Sequence, residues 1–410
     1  MKRIILSISA YFFLCIPGLR AQNLPSLVTG KNINATFSIL AYDREAGEWG
    51  IAVATNNIYV GNSTVYIEPG LGAFSVIAET EPAYARDGFA QLRQGKSIRE
   101  AIEYTALKDP EVGLRQVSGI DSLGRVYAFT GASWKYQRGF AGAIQGKGYV
   151  VMGNQLGDSV LQHMSAGFEK AGGSLAQRLM AALVAGERAG GQVTGKQSAA
   201  LTVKGIRNEW FNNIDLRVDD SKDPFGDLQR LLNYHYGRIR LNQAIMAIRK
   251  GNLVKGKELL SKGEGLVKGW NGIQSKVILA YLLLHEEDRA VDLVRAALAE
   301  NPKWKENLPA FYLLKDRAGM EGLIDEGRFG EKDWIAALSM TAQVNGDGQM
   351  GLLCRKALQG YPGSSYLHYL SGKSMVVAGR VDEARRELQE ALRLDAGNGE
   401  AEELLRVLVR

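Results

Sequence analysis

Cysteine is nearly absent from this chain: of 410 residues only Cys15 and Cys354 carry a thiol. Loss of a leader containing Cys15 would leave one, so no internal disulfide could stabilise the mature protein, even in an oxidising compartment. Histidine is as sparse. His163, His235, His285 and His368 are scattered without metal-ligand spacing, which points to packing or surface roles. Beyond the first two dozen residues no apolar run is long enough to cross a bilayer. No basic stripe with interleaved aromatics appears, which argues against nucleic acid as a partner. There is no G-x-S-x-G nucleophile elbow. Gly142-Ala143-Ile144-Gln145-Gly146-Lys147-Gly148 lacks the spacing and terminal hydroxyl of a phosphate loop and reads as a flexible connection between strands. No cofactor or metal is expected.

Hydrophobic residues make up 46% of the chain and charged residues 23%, the balance of a folded globular protein. The length implies two or three domains. The formal charge is +6, of which Lys2, Arg3 and Arg20 supply half. Those three residues frame an acid-free start. Lys2-Arg3 precede a mostly apolar stretch from Ile4 to Leu19, and Ala21 is a small residue suited to cleavage. Residues 1–21 therefore read as a signal peptide, and the protein as secreted or periplasmic, with no membrane attachment after cleavage. Leu14 before Cys15 argues against a lipoprotein. Residues 22–34 are polar, contain Pro25 and Gly30, and read as a linker.

Regular structure is predicted from Thr36. Strands are predicted at 36–42, 49–55, 72–78, 114–121, 125–130, 149–152, 198–204 and 214–218. Helices are predicted at 84–93, 97–107, 155–171 and 175–189. Ser97 with Glu100 three residues later has the form of a capping box. Asp223-Pro224 has the form of a helix start. Hairpin-like strand pairs and the missing β-α-β alternation favour antiparallel sheets with helices outside them: an α+β domain over residues 35–238, best fitted by a four-layer αββα sandwich.

From about Leu241 the strand signals stop. Small residues recur at 34-residue intervals (Gly256 and Ala290, Ala357 and Ala391), and Gly372, Ala384, Leu388 and Ala391 have the spacing of a tetratricopeptide repeat. Residues 241–410 are therefore predicted to be all-α helical repeats, with 364–398 the best unit. The 60 residues from Ala297 to Ala357 break the period. A generic helical bundle is the alternative.

Some polar residues suit a purely structural role poorly. Asn154 falls at a predicted strand-to-helix junction. Gln197 and Ser198 open an apolar strand. Asp215 and Arg217 alternate with Ile214, Leu216 and Val218, so they share the face opposite the apolar one and could pair with each other. Asp215, Asp219, Asp220 and Asp223 have two readings, a cation cluster or turn and capping duty; the spacing favours the second for the later ones.

Several segments, in order, resemble one family. They are Thr36-Phe37-Ser38-Ile39, Gly50-Ile51-Ala52-Val53-Ala54, Gly72, Pro82-Ala83-Tyr84, Gly153-Asn154, 195–201 (Gly-Lys-Gln-Ser-Ala-Ala-Leu) and 215–219 (Asp-Leu-Arg-Val-Asp). The chain from about Asn34 to His235 is similar to an uncharacterised bacterial family, domain of unknown function 1028, assigned to the N-terminal-nucleophile (Ntn) hydrolases. The resemblance implies an αββα fold. It also implies that Thr36 attacks an amide carbonyl, its own α-amine serving as base. Such an amine titrates at about 7.7–8 and is partly neutral near pH 7. On the same ground Asn154 is the oxyanion or substrate donor, and Ser38, Gln197, Ser198, Asp215 and Arg217 line the substrate pocket. Residues 22–35 would block the amine of Thr36, so this chemistry requires a further cut between Ala35 and Thr36. Three functions compete: a secreted amide hydrolase acting on a small amide, peptide or cell-wall fragment; a non-catalytic Ntn-like domain binding a ligand or partner, with the repeats as a protein-binding scaffold; and a structural envelope component.

Overall fold

The computed structural model describes residues 35–345 and 349–409. The predicted leader and linker lie outside them. The described chain divides into two compact units between Leu231 and Leu232.

The first unit contains two antiparallel sheets. The larger has six strands, β1 (Thr36–Asp43), β2 (Glu48–Thr55), β7 (Phe140–Gly146), β8 (Tyr149–Leu156), β9 (Ser198–Gly205) and β10 (Ile214–Val218), in the order β10-β9-β2-β1-β8-β7. The smaller has four, β3 (Val65–Glu68), β4 (Gly72–Ala78), β5 (Arg115–Asp121) and β6 (Val126–Thr130), in sequence order. Of the segment predicted as a flexible connection, Gly142 to Gly146 belong to β7, and only Lys147 and Gly148 form the turn to β8. The glycines of β7 do not loosen it, because it pairs with β8 from Gly142↔Gly153 to Gly146↔Tyr149. β8 runs four residues beyond its predicted end, so Asn154 lies inside a strand and not at a junction.

Alternation along β1 divides its side chains between two apolar layers. Leu40 packs with Ala73 of β4 and Ile120 of β5, and the Ser75 hydroxyl donates to Ser38 Oγ at 3.0 Å. Phe37 points the other way. Helices α1 (Val60–Ser63), α2 (Ala83–Arg93), α3 (Ile98–Ala106), α4 (Val160–Lys170) and α5 (Leu175–Arg188) complete the unit. α3 and α5 both start with reciprocal capping boxes, Ser97 with Glu100 and Ser174 with Gln177, each satisfying two otherwise unbonded amides. α5 approaches β2 so closely that a Cβ on Gly50 would lie 2.4 Å from Leu179 Cδ1. Phe74, Tyr84, Ile98 and Ile102 form a separate core between β4, α2 and α3.

The regular elements described in the second unit are all helical. α6 (Pro224–Arg249) runs across the division. It is followed by α7 (Leu253–Leu266), α8 (Gln274–Leu283), α9 (Glu287–Glu300), a 3₁₀ stretch (Pro302–Leu314), α10 (Glu331–Asn345), α11 (Met350–Gly360), α12 (Ser365–Val377), α13 (Val381–Leu394) and α14 (Gly399–Val409). Gly372 of α12 faces α13, where a Cβ would lie 2.9 Å from Leu388 Cγ. The small residue permits close crossing of the pair. The 3₁₀ stretch, with Pro309 inside it, occupies the region where the 34-residue spacing fails. Proline removes a helical hydrogen bond and crowds the preceding turn, so no regular helix forms there. No described helix is long and apolar enough to cross a membrane.

Candidate functional site

β1 has neighbours on both sides, and its first residue is framed by both. Thr36 stands opposite Thr55 of β2 and Asn154 of β8. All three are buried, with Thr36 6% exposed and Asn154 fully enclosed. The burial is tolerated because the polar atoms are paired. The Thr36 amide donates to Asn154 Oδ1 at 3.2 Å. Asn154 Nδ2 donates to Gln116 Oε1 at 2.9 Å. Gln116, on β5 of the other sheet, donates through Nε2 to the Gly153 carbonyl at 2.9 Å and to Thr130 Oγ1 at 3.2 Å. The two sheets are thus linked by carboxamides directly behind Thr36.

The bond before Thr36 is held as firmly. The Thr36 hydroxyl donates to Thr55 Oγ1 at 3.1 Å, and Thr55 Oγ1 donates to the Ala35 carbonyl oxygen at 2.7 Å. The Asn56 amide donates to that same oxygen at 3.3 Å. Asn56 Oδ1 accepts from the Ala35 amide at 2.8 Å, and Asn56 Nδ2 donates to Thr194 Oγ1 at 2.7 Å. The Ala35 carbonyl therefore carries two donors, with the hydroxyl of the next residue beside them. Donors so arranged stabilise negative charge developing on a carbonyl oxygen.

The structure gathers the expected site residues only in part. Thr36 and Asn154 are in direct contact. Ser38 lies two residues further along the same face and is engaged by Ser75. Ser198 is fully buried at the start of β9; its hydroxyl donates to the Asn57 carbonyl at 2.6 Å and accepts from the Val60 amide at 3.2 Å, holding α1 to the sheet. The Gln197 amide donates to the Thr55 carbonyl at 2.8 Å, while its side chain turns outward to Asp220. Asp215 and Arg217 pair with each other at 2.9 and 3.2 Å on the exposed face of the edge strand β10, and this bond holds the guanidinium above its usual range. They make no hydrogen bond to the Thr36 group.

Thr55, Asn56 and Gln116 escaped sequence reasoning. Gln116 had left a signal: with Ser118 it flanks Val117, two polar side chains on one face of a strand buried along its whole length. Among the described residues no cluster of three or more His, Cys, Asp or Glu side chains could hold a metal ion.

Residues 36–228 match the family described as "Family of unknown function (DUF1028)". The solved structure of protein SPO2555 from Silicibacter pomeroyi, of the same family, is 30% identical; the match covers 48% of this chain and 84% of that one, with a TM-score of 0.45. MamA (41-end) from Desulfovibrio magneticus RS-1 is 12% identical over 42% of this chain and 82% of its own, with a TM-score of 0.20, too low to carry an argument. Among curated proteins none matches.

Proposed function

From the premise that this chain belongs to the DUF1028 family, we propose that its first unit is an Ntn-type amide hydrolase made as a precursor, with Thr36 as the nucleophile that processing uncovers. The observation that carries the reading is the pair of donors, Thr55 Oγ1 and Asn56 N, on the Ala35 carbonyl oxygen next to the Thr36 hydroxyl. In processing, Thr36 Oγ attacks the Ala35 carbonyl carbon, and its hydroxyl proton ends on the leaving Thr36 nitrogen. The C–N bond breaks, leaving an ester on Oγ and an amine on Thr36. Water hydrolyses the ester, releasing the Ala35 carboxylate and restoring the hydroxyl. The new α-amine, beside Asn154 Oδ1, then takes the hydroxyl proton as Thr36 attacks a substrate amide.

The four-layer αββα arrangement belongs to the same reading. It is supported by the inter-sheet bonds of Ser38 and Asn154, by α5 against β2, and by α2 and α3 against β4. The close pair α12–α13 supports tetratricopeptide-like packing and a protein-binding scaffold. The basic, apolar start supports export with a cleaved leader. A small amide, peptide or cell-wall fragment as substrate belongs to the hydrolase reading itself.

The test is the mass and N-terminal sequence of purified protein. The wild-type chain is expected to begin at Thr36, and Thr36→Ala to retain Ala35. A wild-type chain that begins at Gln22 and stays full length would sink the hydrolase. A second reading, a non-catalytic ligand-binding domain, is favoured by the near-complete burial of Thr36. Under it Thr36→Ala changes neither chain length nor ligand affinity.

A further inference from the structure

At the end of the strand that carries Asn154, and in the segment paired with it, lie four polar atoms without partners. Among the described residues, both the carboxamide nitrogen and the oxygen of Gln155 and of Gln192 are buried without a hydrogen bond. Gln155 is fully enclosed and Gln192 is 6% exposed. Buried amides are almost always bonded, because each loses its hydration on folding.

The two glutamines belong to adjoining segments. The Val193 amide donates to the Gln155 carbonyl at 2.9 Å, and Leu156 bridges to Gln192. Gln155 directly follows Asn154, the acceptor of the Thr36 amide. It is also held at φ 50°, left-handed and unfavourable for a residue with a Cβ. Strain and unmet bonding capacity therefore coincide on the residue that follows the partner of the candidate nucleophile in the chain. Such coincidences mark positions kept for binding.

We propose that Gln155 and Gln192 recognise a neutral amide of the substrate, either a peptide group or a carboxamide. The proposal rests on the hydrolase reading and adds the class of molecule the site selects. A carboxamide presents an N–H donor beside an oxygen acceptor, and a second amide presents the same pair reversed, so both atoms are met. A carboxylate supplies no donor for the glutamine oxygens, and an ammonium supplies no acceptor for their N–H groups. Access lies through the segment that carries Gln192. Gly190, Gly191 and Gly195 have φ values of 112°, 51° and 97° around the exposed Val193. The segment is fastened through Thr194 to Asn56, and through Asn56 to the Ala35 amide. The bond that processing cuts is thus one hydrogen-bonded residue away from the cover of the amide site, and separation of Ala35 from Thr36 loosens that fastening.

The test uses the full-length protein with acetamide as probe and acetate as its carboxylate counterpart, reading the shift in Tm and the Kd, with the N terminus recorded by mass. The neutral probe is expected to raise Tm and the carboxylate not to. Gln155→Met and Gln192→Met, similar in length and apolar, are each expected to weaken the neutral probe about tenfold, with a probe-free Tm equal to or above wild type. Equal response to both probes, or unchanged affinity in both variants, overturns the proposal. So does a lowered Tm in both variants with no probe response in wild type, which assigns the carboxamides to internal hydrogen bonding. A chain that retains Ala35 yet binds the neutral probe through the two glutamines keeps the amide site and discards the hydrolase. A chain that begins at Thr36 and ignores the probe does the reverse.

Discussion

The Cys354 thiol is buried in the second unit among Leu353, Ala357 and Leu370. Loss of hydration pushes its pKa up to about 12. Only the thiolate is nucleophilic, so at pH 8 the native protein is expected to leave Cys354 unmodified by iodoacetamide and to react there once unfolded in guanidinium. Peptide mapping by mass reads the difference; rapid native labelling would refute the packing. The same scale explains what the sequence disclosed of the candidate site. Thr36 was visible through the family resemblance, which puts a hydroxyl at the start of the first strand, and Asn154 because a carboxamide at the predicted end of an apolar strand suits a purely structural role poorly. Thr55, Asn56 and Gln116 were not, because their meaning lies in partners 20, 21 and 38 positions away, and neither composition nor local period records such pairings.

Between elements, Glu326 is a polar tie of the second unit. Its carboxylate accepts from Lys356 of α11, from the Tyr312 hydroxyl of the 3₁₀ stretch and from Lys315. The hydrogen bond from Lys356, then that from Tyr312, lower its pKa from 4.5 to about 2. A carboxyl with a depressed folded pKa stabilises the fold above its unfolded value, and that contribution disappears as pH falls through the folded value. The Tm gap between wild type and Glu326→Gln is therefore expected to be full above about pH 5 and to close between pH 4.5 and about 2. A gap independent of pH would remove the charge from the explanation. Element prediction failed where local signals misled. Glycines made β7 resemble a loop, although cross-strand pairing needs no side chain from them. β8 was cut short because a polar Asn154-Gln155 pair resembles an end when read alone; in the sheet, Asn154 is satisfied by Thr36 and Gln116.

At the scale of the molecule, the change from strands to helices was legible because apolar period alters from two to nearly four residues, which no side-chain detail can mask. Sheet order was not, because it depends on pairings that no local pattern encodes. Those pairings also set the order of folding. The second unit is built from neighbours in sequence, whereas β1–β8 and β2–β9 join distant segments. Distant closure is slow. Pulsed hydrogen exchange during refolding is expected to protect the amides of α12 and α13 before those of β1 and β8. Simultaneous protection would contradict this.

The position of β1 has a further consequence during synthesis. Thr36 and Asn154 are 118 residues apart. At about 5–20 residues per second a ribosome needs roughly 6–24 s to cover that distance. Throughout that time neither flank of the nascent β1–β2 hairpin has its strand to pair with, since β8 and β9 are both still to come, and a bare flank invites another chain. Yield from a heterologous host should therefore respond to growth temperature and to holdase supply more sharply than the stability of the finished protein would suggest.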